Sequence, residues 1–143
     1  MASDGAGMGR GSEAAGGQRA STGNNNDGVV WVEPGALPTI TPVEGIYLGI
    51  LSGENVMISL VTIEPGAAVP LHDHPNEQMG YVVEGIVTMT IGDDTRDLGP
   101  GAAYRAPGGV PHGATSDAGC IVLDVFSPPR ADYAERARAA AGA

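Results

Sequence analysis

The chain's three histidines fall in two clusters, His72-Asp-His74 and the His112 that closes Pro107-Gly-Gly-Val-Pro-His112. On an extended strand, residues two apart point to one side, so the rings of His72 and His74 are expected on a common face. Two such imidazoles can share a metal ion at about 2.0–2.1 Å per bond, and His112 can be the third. Pro70 and Pro75 bracket the pair and restrict the backbone on both sides. Glu77 and Gln78 follow closely, and either can supply an oxygen.

The elements that must carry these residues are short. From Val29 onward, β-branched runs alternate with Gly, Pro, Asn and Asp. They predict strands at Val29–Val32, Ile46–Ser52, Asn55–Ile63, Ala68–His72, Gln78–Val83, Ile86–Ile91, Thr95–Leu98, Ala102–Ala106 and Cys120–Phe126. Turn chemistry separates them, as in Glu64-Pro65-Gly66, Glu84-Gly85, Gly92-Asp93-Asp94 and Gly99-Pro100-Gly101. Many short strands turned at this spacing make a sandwich or small barrel. One helical pattern, Ala131–Ala141, closes the chain, with Glu135 and Arg138 three apart on a surface face.

Residues 1–28 hold eight Gly, five Ala and Asn24-Asn25-Asn26, with no aromatic, Ile, Leu or Val. Such a stretch cannot bury enough apolar surface to offset its ordering entropy, so a disordered extension is expected there. A barrel over 29–130 and a helical tail over 131–143 complete the expected organisation. The net charge is −10, from 17 acids against seven Arg and no Lys. Phosphate backbones and anionic membranes are therefore disfavoured partners. No apolar run is long enough to span a bilayer and no secretory signal is visible, which predicts a cytoplasmic protein. Cys120 is the single cysteine and has no intramolecular disulfide partner.

The two histidine clusters carry a resemblance. Gly66, His72-Asp-His74, Gln78 and Gly85 are spaced as in the first cupin motif, with Gln where that motif usually has Glu. Gly101, Pro107, Gly109 and His112 are similar to the second, with Ser116 where Asn is common. The resemblance implies an all-β cupin jelly-roll barrel with a metal inside its mouth, held by His72, His74, Gln78 and His112. Spacing to Gly85 favours Gln78 over Glu77 as the oxygen ligand. Three nitrogens and one oxygen admit Zn, Ni, Fe, Mn, Co or Cu. A neutral Gln leaves the metal's charge less compensated than Glu would, which favours an acidic bound water and an anionic substrate.

In Ile121-Val-Leu-Asp124-Val-Phe126, alternation puts Val122, Asp124 and Phe126 on one face and Ile121, Leu123 and Val125 on the other. The purely apolar face suits packing between sheets. The lumen of such a barrel would then receive Asp124, a candidate general acid/base, together with Phe126. The alternative is an Asp on the solvent side of an edge strand. Asp124-Val-Phe126-Ser-Pro-Pro-Arg130 also resembles the tail of the KdgF-type cupins of pectin and alginate breakdown. Those convert 4,5-unsaturated uronate monosaccharides from the cyclic to the linear keto form. That likeness implies catalytic roles for Asp124 and Phe126. An Arg, Arg130 ahead of Arg105, is expected to pair with the substrate carboxylate.

Tyr81, Tyr104 and Trp31 are expected as core or rim aromatics, with a lumen role open to Tyr104. Met57, Met79 and Met89 are expected as packing residues. Two other functions compete: a cupin oxygenase or polyketide-type cyclase, and a non-enzymatic metal- or small-molecule-binding module. A homodimer is expected, with Val29–Val32 available for exchange between subunits.

Overall fold

The computed structural model describes residues 28–142, so the low-complexity segment lies, apart from Gly28, outside the described residues. The chain divides into two units, Met1–Ala36 and Leu37–Ala143. Within the described part of the first, Val30 forms an isolated bridge and no continuous strand covers Val29–Val32. The expected strand there is corrected: four β-branched or aromatic residues flanked by Gly28 and Pro34 make no ladder.

The second unit contains ten strands and one helix. They are β1 (Thr39–Val43), β2 (Ile46–Ser52), β3 (Met57–Ile63), β4 (Ala68–His72), β5 (Glu77–Gly85), β6 (Val87–Ile91), β7 (Asp94–Leu98), β8 (Ala103–Ala106), β9 (His112–Thr115), β10 (Cys120–Ser127) and α1 (Ala131–Gly142). Six strands form one antiparallel sheet in the order β1-β2-β3-β10-β5-β8, and four form another in the order β4-β9-β6-β7. Two packed antiparallel sheets of short strands agree with the all-β barrel that the sequence predicts. Two strands were not foreseen, β1 and β9. Both carry weak strand formers, Pro42 in one and Gly113 in the other, and hold their conformation through pairing with β2 and with β4 and β6.

The apolar core is drawn from both sheets. Ile46, Leu48, Met57, Val61, Ile63, Val82, Val87, Met89, Val122 and Phe126 are all buried. Met79 departs from expectation: it lies on the outward phase of β5 and is 48% exposed. The helix packs Ala137 into the core, with Tyr133 and Ala134 against it, so one side of α1 is held by the core rather than lying on the surface throughout.

Candidate functional site

The site bridges the two sheets. His72 ends β4 and lies directly across from His112, the first residue of β9. Gln78 stands near the start of β5 in the other sheet, and His74 lies between, in the segment 73–76 that passes from one sheet to the other. The strand stops at His72, as its predicted bounds have it, so His74 reaches the site from the segment that follows and not from the same strand. The segment is held by its neighbours instead. Gly109 N–H donates to His74 O at 2.8 Å, and Asn76 Nδ2 donates to Pro128 O at 2.8 Å. A Cβ on Gly108 would collide with the Pro75 carbonyl oxygen, so the glycine of the second cluster makes room for the backbone of the first.

The three rings converge, with centroids 4.5 to 5.6 Å apart and one ligand atom from each within 4.8 Å of the others. Each Nδ1 meets a backbone carbonyl: His72 with Pro70 O at 2.9 Å, His74 with Asn76 O at 3.1 Å, and His112 with Val110 O at 2.9 Å. A carbonyl only accepts, so each Nδ1 carries a proton, which leaves Nε2 as the ring atom free to ligate. The Nε2 atoms of His74 and His112 both lie 3.0 Å from Gln78 Oε1, itself an acceptor. Lone pairs facing lone pairs with no proton between them are the donor set a cation would satisfy. Burial pushes the His74 and His112 imidazoles below their ordinary range, which keeps them neutral and ready to ligate. The residues therefore fit a metal. Glu77 points elsewhere, pairing with Arg105 Nε at 2.6 Å on the exposed surface.

Behind Gln78 lies a second polar group. Gln78 Nε2 donates to Tyr104 Oη at 2.7 Å and to Asp124 Oδ2 at 3.2 Å, while Tyr104 Oη donates to Asp124 Oδ1 at 2.5 Å. Asp124 is buried, which pushes its carboxyl up from 3.8 to about 7 against the opposing effect of the Tyr104 hydrogen bond. Burial and the neighbouring Asp124 together hold the Tyr104 phenol well above its ordinary value, so it stays a donor. This arrangement gives a physical reason for Gln at 78. A carboxylate there would face Asp124 with no proton to offer, whereas the amide turns its oxygen to the imidazoles and its NH2 to Asp124.

Asp124 and Phe126 face inward, while Ile121, Leu123 and Val125 are only half-buried on the outer side of the sheet. The expectation that this apolar face packs between the sheets is thus corrected: the face carrying Val122, Asp124 and Phe126 does. A cavity of about 330 Å³ opens along the inner face, lined among others by His72, Gln78, Asp124, Phe126, Arg130 and Ser59. Arg130 lies over the Tyr133 ring at 3.7 Å and near Phe126 at 5.6 Å, and its Nη2 pairs with Asp132 at 3.1 Å. Arg105 does not line this cavity.

Arg136 and Ser59 are among the lining residues that escaped the sequence reading. Arg136 of α1 reaches the cavity wall. Ser59 is fully buried, and among the described residues its Oγ is a buried side-chain oxygen with no hydrogen-bond partner. The available signal was phase: in Met57-Ile-Ser59-Leu-Val61, Ser59 falls on the apolar inward set. Tyr104 proves to be bonded to Asp124 rather than a simple core ring.

A family model described as a cupin domain matches residues 59–126. Pectin degradation protein KdgF of Dickeya dadantii is 33% identical over 93 residues, covering 63% of this chain and 84% of that protein. The chain belongs to the cupin family. Within it, the solved structure of KdgF from Halomonas sp. is similar at a TM-score of 0.63 and 33% identity, covering 66% of this chain and 91% of that one. H2HPP isomerase of Bacillus subtilis is 38% identical over 82 residues, but this chain spans only 34% of that protein's length.

Proposed function

We propose that the protein is a metal-dependent cupin enzyme that opens 4,5-unsaturated uronate monosaccharides to their linear keto form. The observation that carries this reading is Asp124, a buried carboxyl placed by hydrogen bonds at the wall of a cavity beside three converging imidazoles. The likeness to KdgF proteins supports the substrate class, and a cavity of about 330 Å³ suits a monosaccharide.

His72, His74, Gln78 and His112 would hold one divalent transition metal. When bound, it would supply Lewis-acid polarisation of the sugar's oxygens. The remaining work falls to the chain's own groups. Asp124 takes the proton of the C1 hydroxyl as the bond between C1 and the ring oxygen breaks, leaving an aldehyde at C1 and an enolate at C5. Asp124 then returns that proton to C4, the C4–C5 double bond is lost, and C5–O becomes the ketone. The result is an isomer of the substrate, so no co-reactant is needed. Phe126 packs on the sugar and Arg130 pairs with its carboxylate, together fixing the orientation of C4 toward Asp124.

The homodimer belongs to the same reading. It is now supported by the apolar outer face of the six-stranded sheet, where Leu60, Met79, Tyr81 and Val83 are exposed. A second copy related by a twofold axis would cover that face with its own equivalent.

The test incubates metal-loaded protein with pectate or alginate lyase products and follows loss of the conjugated-alkene absorbance. Acceleration over the spontaneous reaction is expected. No acceleration with metal confirmed present removes the uronate reading.

A further inference from the structure

A row of residues runs in register across the six-stranded sheet at the level of Asp124. Ser59 on β3 pairs with Asp124 on β10, Asp124 pairs with Gly80 on β5, and Gly80 pairs with Tyr104 on β8. In an ordinary sheet, a side chain on the central strand would separate Tyr104 from Asp124, which stand two strands apart. Here that position is glycine. A Cβ on Gly80 would run into the Tyr104 ring and come within 2.5 Å of Asp124 Oδ1. The phenol lies in the gap this leaves and reaches across β5.

What it does there follows from counting protons. Tyr104 has one hydroxyl proton, which goes to Asp124 Oδ1, so its oxygen can only accept from Gln78. Gln78 must then present its NH2 to Tyr104 and Asp124, and its carbonyl oxygen to His74 and His112. An amide has two unlike ends of nearly the same shape, so something must choose which end faces the imidazoles.

We infer that Tyr104, seated over Gly80, is a positioning residue that orients the Gln78 amide toward the metal centre and aims the Asp124 carboxylate into the cavity. It touches neither metal nor substrate and acts through these two side chains. The inference rests on the proposed metal centre and proton donor, and deepens that reading by joining them into one hydrogen-bonded unit.

The test is a cycle of Tyr104→Phe against Gln78→Ala, read as metal affinity by competition with a chelating dye. Alanine has no amide to orient. In the wild-type background, Tyr104→Phe is expected to weaken metal binding about 10- to 100-fold, the usual effect of losing an outer hydrogen-bond partner. In the Gln78→Ala background, it is expected to change affinity by less than about twofold. A merely structural tyrosine would give equal losses in both. Gly80→Ala provides a second route, because it displaces the phenol while leaving its hydroxyl intact, and the same loss is expected. Equal losses in both backgrounds, or none in either variant, overturn the inference. These readings need no turnover, so they stand apart from the uronate assay. If that assay succeeds, Tyr104→Phe should lower kcat with KM held within about threefold, and a change confined to KM counts against the role.

Discussion

Two adjacent rows of the six-stranded sheet differ by one residue in sequence and by everything in chemistry. The inner row runs Ser59, Asp124, Gly80, Tyr104, and the outer row runs Leu60, Leu123, Tyr81, Ala103, each joined by the same antiparallel pairing. The inner row holds a buried hydrogen-bonded carboxyl at a cavity wall. The outer row shows half-exposed or exposed apolar side chains. Burial therefore does not sort these strands by hydrophobicity: the more apolar face of β10 points out. What holds Asp124 inside is the set of hydrogen bonds from Tyr104 and Gln78, which replace the water it loses.

The comparison breaks most visibly at Asp124. If the inner row is catalytic, Asp124→Ala should reduce turnover about 10²- to 10⁴-fold, the usual contribution of positioned proton transfer, with metal content by elemental analysis unchanged at saturating metal. Loss of both metal and turnover would make Asp124 a structural support of the centre. Leu123→Ala, one residue away on the outer row, should leave turnover within about twofold.

The same carboxyl makes the metal-free protein sensitive to pH. The folded state binds the Asp124 proton more tightly than the unfolded chain, with a value of about 7 against 3.8. Its contribution is thus fully present below pH 4 and is lost as pH rises to about 7. The fall is on the order of 4 kcal/mol at most for a shift of this size. Urea midpoints of metal-stripped protein across that window should decline for the wild type and decline less for Asp124→Asn. Metal loading should flatten the wild-type curve, since a nearby cation favours the carboxylate. A wild-type curve no steeper than that of Asp124→Asn would mean the carboxyl is better solvated than its burial indicates.

Ser59 sharpens the contrast in the opposite sense. Its Oγ is buried with no partner among the described residues, a cost that a methyl group would not incur. Ser59→Ala is expected to raise the stability of the metal-free protein by about 1 kcal/mol in denaturant titration. A loss of similar size would show that the hydroxyl is bonded in solution.

These rows also explain what could be read from sequence. The histidine clusters were legible because Pro and Gly fix their backbones at recognisable spacing, and most strand positions were legible from β-branched runs. Strand β9, His-Gly-Ala-Thr, carried no such signal and exists through its pairing with β4 and β6. Alternation along β10 separated Asp124 from Leu123 but could not say which set faces in. The apolar rule pointed toward Ile121, Leu123 and Val125, and only the partners Tyr104 and Gln78, 20 and 46 residues away, reverse it. Tyr104 in turn depends on Gly80, and a glycine that serves by lacking a side chain leaves no mark in a strand pattern.

The outer row sets the smallest expected effect within one subunit. Tyr81 is 51% exposed and forms part of the apolar face proposed to meet a second copy. Tyr81→Glu should leave metal content unchanged and turnover per subunit within about twofold, because Leu123 and Tyr81 share none of the hydrogen bonds that fix Asp124. Its effect on the subunit's own stability should stay within about 0.5 kcal/mol, as for most exposed positions. Association is where the charge should act. Two copies facing each other across a twofold axis would bring their introduced carboxylates close together in an apolar setting, which disfavours the pair strongly. Sedimentation should therefore shift from dimer toward monomer while the site keeps working. Were turnover to fall in step with dissociation, the outer face would be acting on the inner one through the shared strands, and the two rows would not be independent.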